Sequence, residues 1–149
     1  MIALLQRVSS ASVTVDGESV AEIAAGLLVF VGVERNDAEQ QAERLAERLI
    51  NYRVFADDAG RMNCSLTDTG GEILLVPQFT LAADTSSGNR PGFSTAAEPE
   101  LGKRLFEHLV AALQQSGQKL ATGQFGADMQ ISLCNEGPVT FSLRAAPTD

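Results

Sequence analysis

The chain has 149 residues, 44% hydrophobic and 20% charged, with a formal net charge of −8 and an isoelectric point near 4.6. One domain spanning residues 1–149 is expected, long enough to bury about two thirds of its unfolded surface without staples. The acidic balance excludes broad nucleic-acid binding driven by phosphate neutralisation, but not a grip on one RNA end through stacking, backbone hydrogen bonds and scattered cations such as Arg7, Arg53, Arg61, Arg90 and Lys103.

No apolar run reaches the ~18 residues of a membrane span, and the opening MIALLQRVSS has no basic leader followed by an apolar core and cleavage site. A cytosolic protein with no membrane partner is expected. Cys64 and Cys134 stand in unrelated contexts without a CxxC or a neighbouring histidine, so neither a zinc site nor a redox motif is supported.

Ile2 to Val8 is a first apolar run. Ala11 to Val15, the Asp16-Gly17 pair and Glu18 to Ile23 form a predicted hairpin, because Asp-Gly supplies the left-handed conformations of a two-residue turn. Leu27 to Val33 is unbroken in its apolar character, the pattern of a strand covered on both faces. Asn36 with Glu39 resembles a capping box. Ala42, Leu45, Ala46, Leu49 and Ile50 then recur at helical spacing, which predicts an amphipathic helix. Tyr52 to Phe55 is read as a short strand and Glu72 to Val76 as a buried one. Ala82 to Pro99, rich in Ser, Thr, Gly, Asn and Pro, is a long loop of the kind that is usually functional or disordered. Pro99 then opens a second helix with Leu101, Leu105, Leu109, Ala112 and Leu113 as its stripe. Gly123 to Ala127 is a loop, and strands Met129 to Cys134 and Val139 to Leu143 flank Asn135-Glu136-Gly137-Pro138. About seven strands and two helices that do not alternate with them favour an α+β fold, a mixed and mainly antiparallel sheet with two packed helices.

The usual catalytic signatures are absent. His108 is the one histidine, in line with the apolar stripe of the second helix, so no HExxH, metal triad or second-histidine pair exists. GxSxG, GxxxxGK[ST] and GxGxxG are missing, and neither cofactor nor metal is expected. Two stretches stand out instead. In Val76 to Thr85, a buried strand runs into polar residues; continued as a strand, it sets Gln78 and Thr80 on one face and Phe79 on the other. These are either edge positions paired with backbone or water, or a reacting centre in which Phe79 lends its backbone N–H as an oxyanion donor beside the Thr80 hydroxyl. In NEGPVTF, Asn135 to Phe141, the Gly-Pro pair is either a hairpin turn or a cis peptide that points two neighbouring carbonyls to one side.

PQFTL (Pro77 to Leu81) together with NEGPVT (Asn135 to Thr140) resembles the paired signatures of D-aminoacyl-tRNA deacylases, SQFTL and NxGPVT. The likeness covers nearly the whole chain, including LLQRVSSASVTVDGE, GLLVFVGV, TLAADTSSGNRPGFS and GQFGADMQISL. It implies a homodimer with a barrel-like core that hydrolyses the ester between a D-amino acid, or glycine, and the 3′-terminal adenosine of tRNA, without metal or cofactor. By the resemblance, Gln78, Phe79 and Thr80 are the catalytic segment. A cis Gly137-Pro138, propped by Arg7, enters the partner subunit's pocket and excludes L side chains by clash; Asn135 is a further substrate-binding residue, and Phe125 and Met129 match pocket residues. The resemblance also implies that the ribose 2′-hydroxyl assists hydrolysis, so Thr80 orients or binds rather than attacks.

Pro77 departs from the family's usual Ser, removing a hydroxyl and a backbone N–H from the rim. A related branch that edits L-alanine mischarged on tRNA carries Pro there with a trans Gly-Pro. Two further readings compete: an esterase or amidase acting on small D-amino-acid derivatives without RNA, and an RNA-end binding module without turnover.

Overall fold

The two apolar runs at the start of the chain form one strand, β1 (Ile2–Val15), and its length organises the molecule. The computed structural model describes residues 1–147; Thr148 and Asp149, the end of the predicted 1–149 domain, lie outside the described residues. Along one edge β1 pairs antiparallel with β2 (Glu18–Ile23) through Ala11–Val15 and with β3 (Gly26–Gly32) through Ile2–Val8. The Asp16-Gly17 turn closes the predicted hairpin with both residues at positive φ, +51° and +80°.

β3 continues the sheet by pairing in parallel with β6 (Glu72–Pro77), and β6 in turn with β7 (Lys119–Thr122). Parallel neighbours require crossovers. The first carries α1 (Glu39–Asn51), the small hairpin of β4 (Phe55–Ala56) and β5 (Met62–Cys64), and the short α2 (Leu66–Thr69). The second carries a 3-10 turn (Phe79–Ala82) and α3 (Pro99–Gln115), which begins at the predicted proline.

The unbroken apolar character of β3 and β6 has its explanation in two cores on opposite faces of the sheet. Leu27, Val29, Val31, Ile73 and Leu75 meet the helices through Leu45, Leu49, Leu105 and Leu109. Leu28, Leu74 and Val76 face Val8, Val13, Ala21 and Ile23, because the far half of β1 and all of β2 curl back over the sheet. β2 thereby reaches β6 and β7, giving the nearly closed, barrel-like core that was expected.

Several expectations are corrected. The described residues hold three α-helices and eight strands, where the sequence pattern offered two helices and about seven strands. α2 and β7 are four residues each, too short for periodicity to mark. The short strand is Phe55–Ala56 rather than Tyr52 to Phe55, since Tyr52 still donates to Arg48 O as the cap of α1. α1 is capped at Ala38, whose N–H donates to Gln41 Oε1 at 2.7 Å, not at Asn36 with Glu39. The competing interaction is Asp37, turned inward to accept from the Glu34 N–H at 2.7 Å and the Met1 ammonium at 2.8 Å. Finally, the two strands around NEGP are one strand, β8 (Gln130–Arg144), antiparallel to β1 along its other edge.

Candidate active site

β6 delivers PQFTL to the rim of a cavity, and the strand ends there. Gln78 N–H makes the last ladder bond, to Val31 O at 2.7 Å. The chain then winds into the 3-10 turn, with Leu81 N–H on Gln78 O at 3.2 Å and Ala83 N–H on Thr80 O at 3.1 Å. The predicted alternation of Gln78 and Thr80 against Phe79 across a strand is therefore replaced by a turn. Two consequences follow for chemistry. Phe79 opens the turn, so its N–H has no partner within it. The Gln78 side-chain amide donates to Thr80 Oγ1, leaving that hydroxyl beside an amide rather than a base. His108, the one histidine, has its Nε2 3.0 Å from Glu43 Oε1, bridging the outer surfaces of α3 and α1.

The cavity is about 480 Å³, within the ~300–1,000 Å³ usual for small-molecule sites. Val76, Pro77, Gln78 and Phe79 wall one side; Phe125 and Met129 wall the other. Phe125 is anchored from α3 by Phe106 at 6.3 Å between ring centroids, and Met129 Sδ accepts from Gln124 N–H at 3.4 Å. The structure thus brings Gln78, Phe79, Phe125 and Met129 together, with Thr80 one step outside the lining. Among the described residues there is no group of three or more His, Cys, Asp or Glu placed to hold a metal, and no helix is long and apolar enough to cross a membrane. The rim continues into the predicted loop before α3. Hydrogen bonds from Ser86, side chain first and then its backbone N–H at 2.9 Å, hold the Asp84 carboxyl below its ordinary range.

The second predicted cluster lies elsewhere on the chain. Gln6 pairs with Thr140 and Val8 with Asn135, so four residues of β8, Glu136 to Val139, bulge out opposite the single residue Arg7. Asn135 closes the base of this bulge, donating from Nδ2 to Thr140 Oγ1 at 2.9 Å and accepting at Oδ1 from Val139 N–H at 3.1 Å. Arg7 supports it from below, with Nε donating to Glu136 O at 3.3 Å and Nη1 to Val54 O at 2.8 Å. Gly137 has φ +128°, and a Cβ there would lie 2.7 Å from Val139 Cγ2 and 3.2 Å from Arg7 Nη2, so glycine is required on two counts. The Gly137–Pro138 peptide is cis, and Glu136, Gly137 and Pro138 are exposed. The hairpin reading of NEGP is excluded because β8 pairs with the same strand, β1, on both sides of the bulge. No residue from Asn135 to Thr140 lines the cavity. The bulge therefore takes no part in the wall of its own chain's cavity.

A family model described as D-Tyr-tRNA(Tyr) deacylase matches residues 4–144. The chain belongs to this family of hydrolases. It is 59% identical over 147 residues to a D-aminoacyl-tRNA deacylase of Nitrosococcus oceani, covering 99% of this chain and 95% of that protein. It is 60% identical to one of Thioalkalivibrio sulfidiphilus, covering 99% of each. A solved structure named c-Myc DNA unwinding element binding protein superposes with a TM-score of 0.93 at 36% identity, covering 98% of this chain and 99% of that one. A second, a probable eukaryotic D-amino acid tRNA deacylase, shares the fold at 16% identity with a TM-score of 0.80, over 95% and 98% of the two chains.

Two neighbours of the predicted site residues are not marked by any sequence pattern. The Val54 carbonyl, the second anchor of Arg7, is a backbone acceptor that no side-chain pattern announces. Phe93, whose ring packs against Phe79 at 5.2 Å between centroids, sits in a loop with no periodicity.

Proposed function

We propose that the protein hydrolyses the ester joining a D-amino acid to the 3′-terminal adenosine of tRNA, in the cytoplasm, and does so as a homodimer. The observation that carries this reading is the separation of the two motifs. Pro77, Gln78 and Phe79 line a cavity of about 480 Å³ whose one titratable lining side chain is Asp128, while the Gly137-Pro138 bulge is held by Arg7 and Asn135 and contributes nothing to that lining. A loop built with this care and left in solvent is best used in the cavity of a second copy, where it bounds the substrate's α-carbon.

In this arrangement the ester carbonyl lies against the turn that begins at Phe79, whose free N–H stabilises the developing oxyanion. Gln78 orients the Thr80 hydroxyl, which positions substrate. The ribose 2′-hydroxyl, adjacent to the scissile ester, assists the attack, so the chain supplies position and backbone donors rather than a nucleophile. Phe125 and Met129 bound the apolar side of the pocket. The partner's bulge, shaped by its own Arg7 and Asn135, occupies the space an L side chain would need. Such a filter discriminates by exclusion, so it requires no favourable contact with a D side chain, and glycine, having no side chain to clash, passes it.

The test compares D-tyrosyl-tRNA with a free D-tyrosine ester. Turnover of the tRNA substrate with weak or no turnover of the free ester supports the proposal; equal efficiency on both favours an RNA-independent esterase, and release from neither favours a binding module.

A further inference from the structure

Two phenyl rings lie exposed at the mouth of the cavity. Phe79 is 61% exposed and Phe93 43%, and their centroids are 5.2 Å apart at an interplanar angle of 49°. Only Phe79 contributes to the cavity wall; Phe93 stands beyond it, so the pair leads from the pocket outward. The loop that presents Phe93 is built, since Asp84 and Gly92 exchange backbone hydrogen bonds of 2.7 and 2.9 Å and Ala96 N–H bonds Phe93 O at 3.1 Å. The clasped segment carries one cation, Arg90, exposed and three residues before Phe93. Exposed rings, one of them on a loop that also carries an exposed arginine, on a protein of net charge −8, match one ligand chemistry well. Single-stranded nucleic acid is held by stacking of bases on aromatic rings together with cations along the backbone, and Arg90 is the cation this loop offers.

We propose that Phe79 and Phe93 form a stacking platform for the unpaired nucleotide that precedes the terminal adenosine, with Arg90 beside its phosphodiester. This rests on the deacylase reading above, since it assigns the terminal adenosine and its amino acid to the cavity. It adds a second point of contact that fixes the direction in which the acceptor strand leaves the pocket. Because the contact is a ring face, it tolerates any base.

The chain contains no tryptophan, so Phe93→Trp introduces a single emitter at the platform. Titration with an unacylated RNA duplex carrying an unpaired 3′ tail should quench that emission, and the same duplex with a blunt end should not. In parallel, Phe93→Ala should lower kcat/KM on D-aminoacyl-tRNA by about tenfold, mainly through KM, with Phe93→Tyr restoring it. The same variant should hydrolyse D-aminoacyl-adenosine, which lacks the preceding nucleotide, at the wild-type rate. Equal losses on both substrates, no loss on either, or quenching that follows protein concentration instead of tailed RNA, as burial by a second copy would give, overturns the proposal. If wild-type protein hydrolyses neither ester, the deacylase reading fails while the quenching titration still decides the platform.

Discussion

Arg7 Nε donates to the Glu136 carbonyl at 3.3 Å from directly beneath the bulge in β8, while the same guanidinium holds Val54 O at 2.8 Å. One side chain of β1 thus ties the displayed Gly137-Pro138 segment to the crossover that follows α1. The planar fork makes this possible, because its nitrogens point in fixed and divergent directions.

Arg7→Ala is therefore expected to loosen selectivity before it destroys catalysis, since the cavity residues on β6 are untouched by it. A hydrogen bond from a charged donor contributes about 1.5–3 kcal/mol, which corresponds to about a 10- to 100-fold fall in the ratio of D to L deacylation rates. Arg7→Lys should behave like Ala, because a point ammonium cannot reach Glu136 O and Val54 O together. The measurement is the D:L rate ratio on matched aminoacyl-tRNAs; an unchanged ratio places the filter elsewhere.

Thr80→Ala should keep kcat/KM within about tenfold of wild type, whereas loss of a true nucleophile costs on the order of 10⁶. The reason is local: the Thr80 hydroxyl is partnered by the Gln78 amide, and His108 is occupied with Glu43 between the helices. Replacing the terminal 2′-hydroxyl of the tRNA by hydrogen should slow hydrolysis by about 10² or more, the lower range for a lost acid–base group. Abolished turnover in Thr80→Ala with normal reaction of the 2′-deoxy substrate would reverse these assignments.

Much of the fold was legible because its rules are local. Asp16-Gly17 marks its hairpin, Pro99 opens α3, and the continuous apolar character of Leu27 to Val31 and Ile73 to Val76 foretells burial on two faces. What escaped depends on pairing at a distance. Residues 129–143 look like a hairpin because Asn, Gly and Pro are turn residues, yet β1 is long enough to pair on both sides of the interruption, so the turn becomes a bulge. Phe79 leaves the strand alternation because the ladder ends at Gln78, a fact set by where β3 stops. Gln78, Phe79, Thr80 and Gly137-Pro138 stood out by themselves with two readings each, but their grouping with Phe125 and Met129 came only through resemblance, because nothing in the spacing joins residues 77–81 to residues 125–129 across α3.

Gly26→Ala tests the close approach that makes the β3–β6 pairing possible. A Cβ at this position would lie 1.9 Å from Glu72 O, 2.7 Å from Glu72 N and 2.8 Å from Glu72 C, all backbone atoms that cannot rotate away. The expected loss is about 3 kcal/mol or more, at the upper end for overpacking. Denaturant unfolding of the variant beside wild type reads it directly, and a cost below about 1 kcal/mol would mean that the strands separate there without penalty.

The homodimer is expected to sediment at twice the 15.8 kDa chain mass under assay conditions. Leu133 and Phe141, 38% and 36% exposed, lie on the strand that carries the bulge and are candidates for the covered surface. Mixing a variant damaged in the bulge, which loses selectivity, with an excess of one damaged at Phe125 should raise the D:L rate ratio, because in the mixed dimer the intact cavity meets the intact bulge. A fully active monomer would contradict the cross-subunit arrangement.

The most direct test of the central claim is time-resolved deacylation of D-tyrosyl-tRNA and L-tyrosyl-tRNA by the wild-type protein at equal concentrations. The account predicts rapid release of D-tyrosine and a rate on the L substrate close to the uncatalysed background. Equal rates on the two would contradict it, and preferential hydrolysis of an L-aminoacyl-tRNA would identify Pro77 as the mark of a different substrate choice.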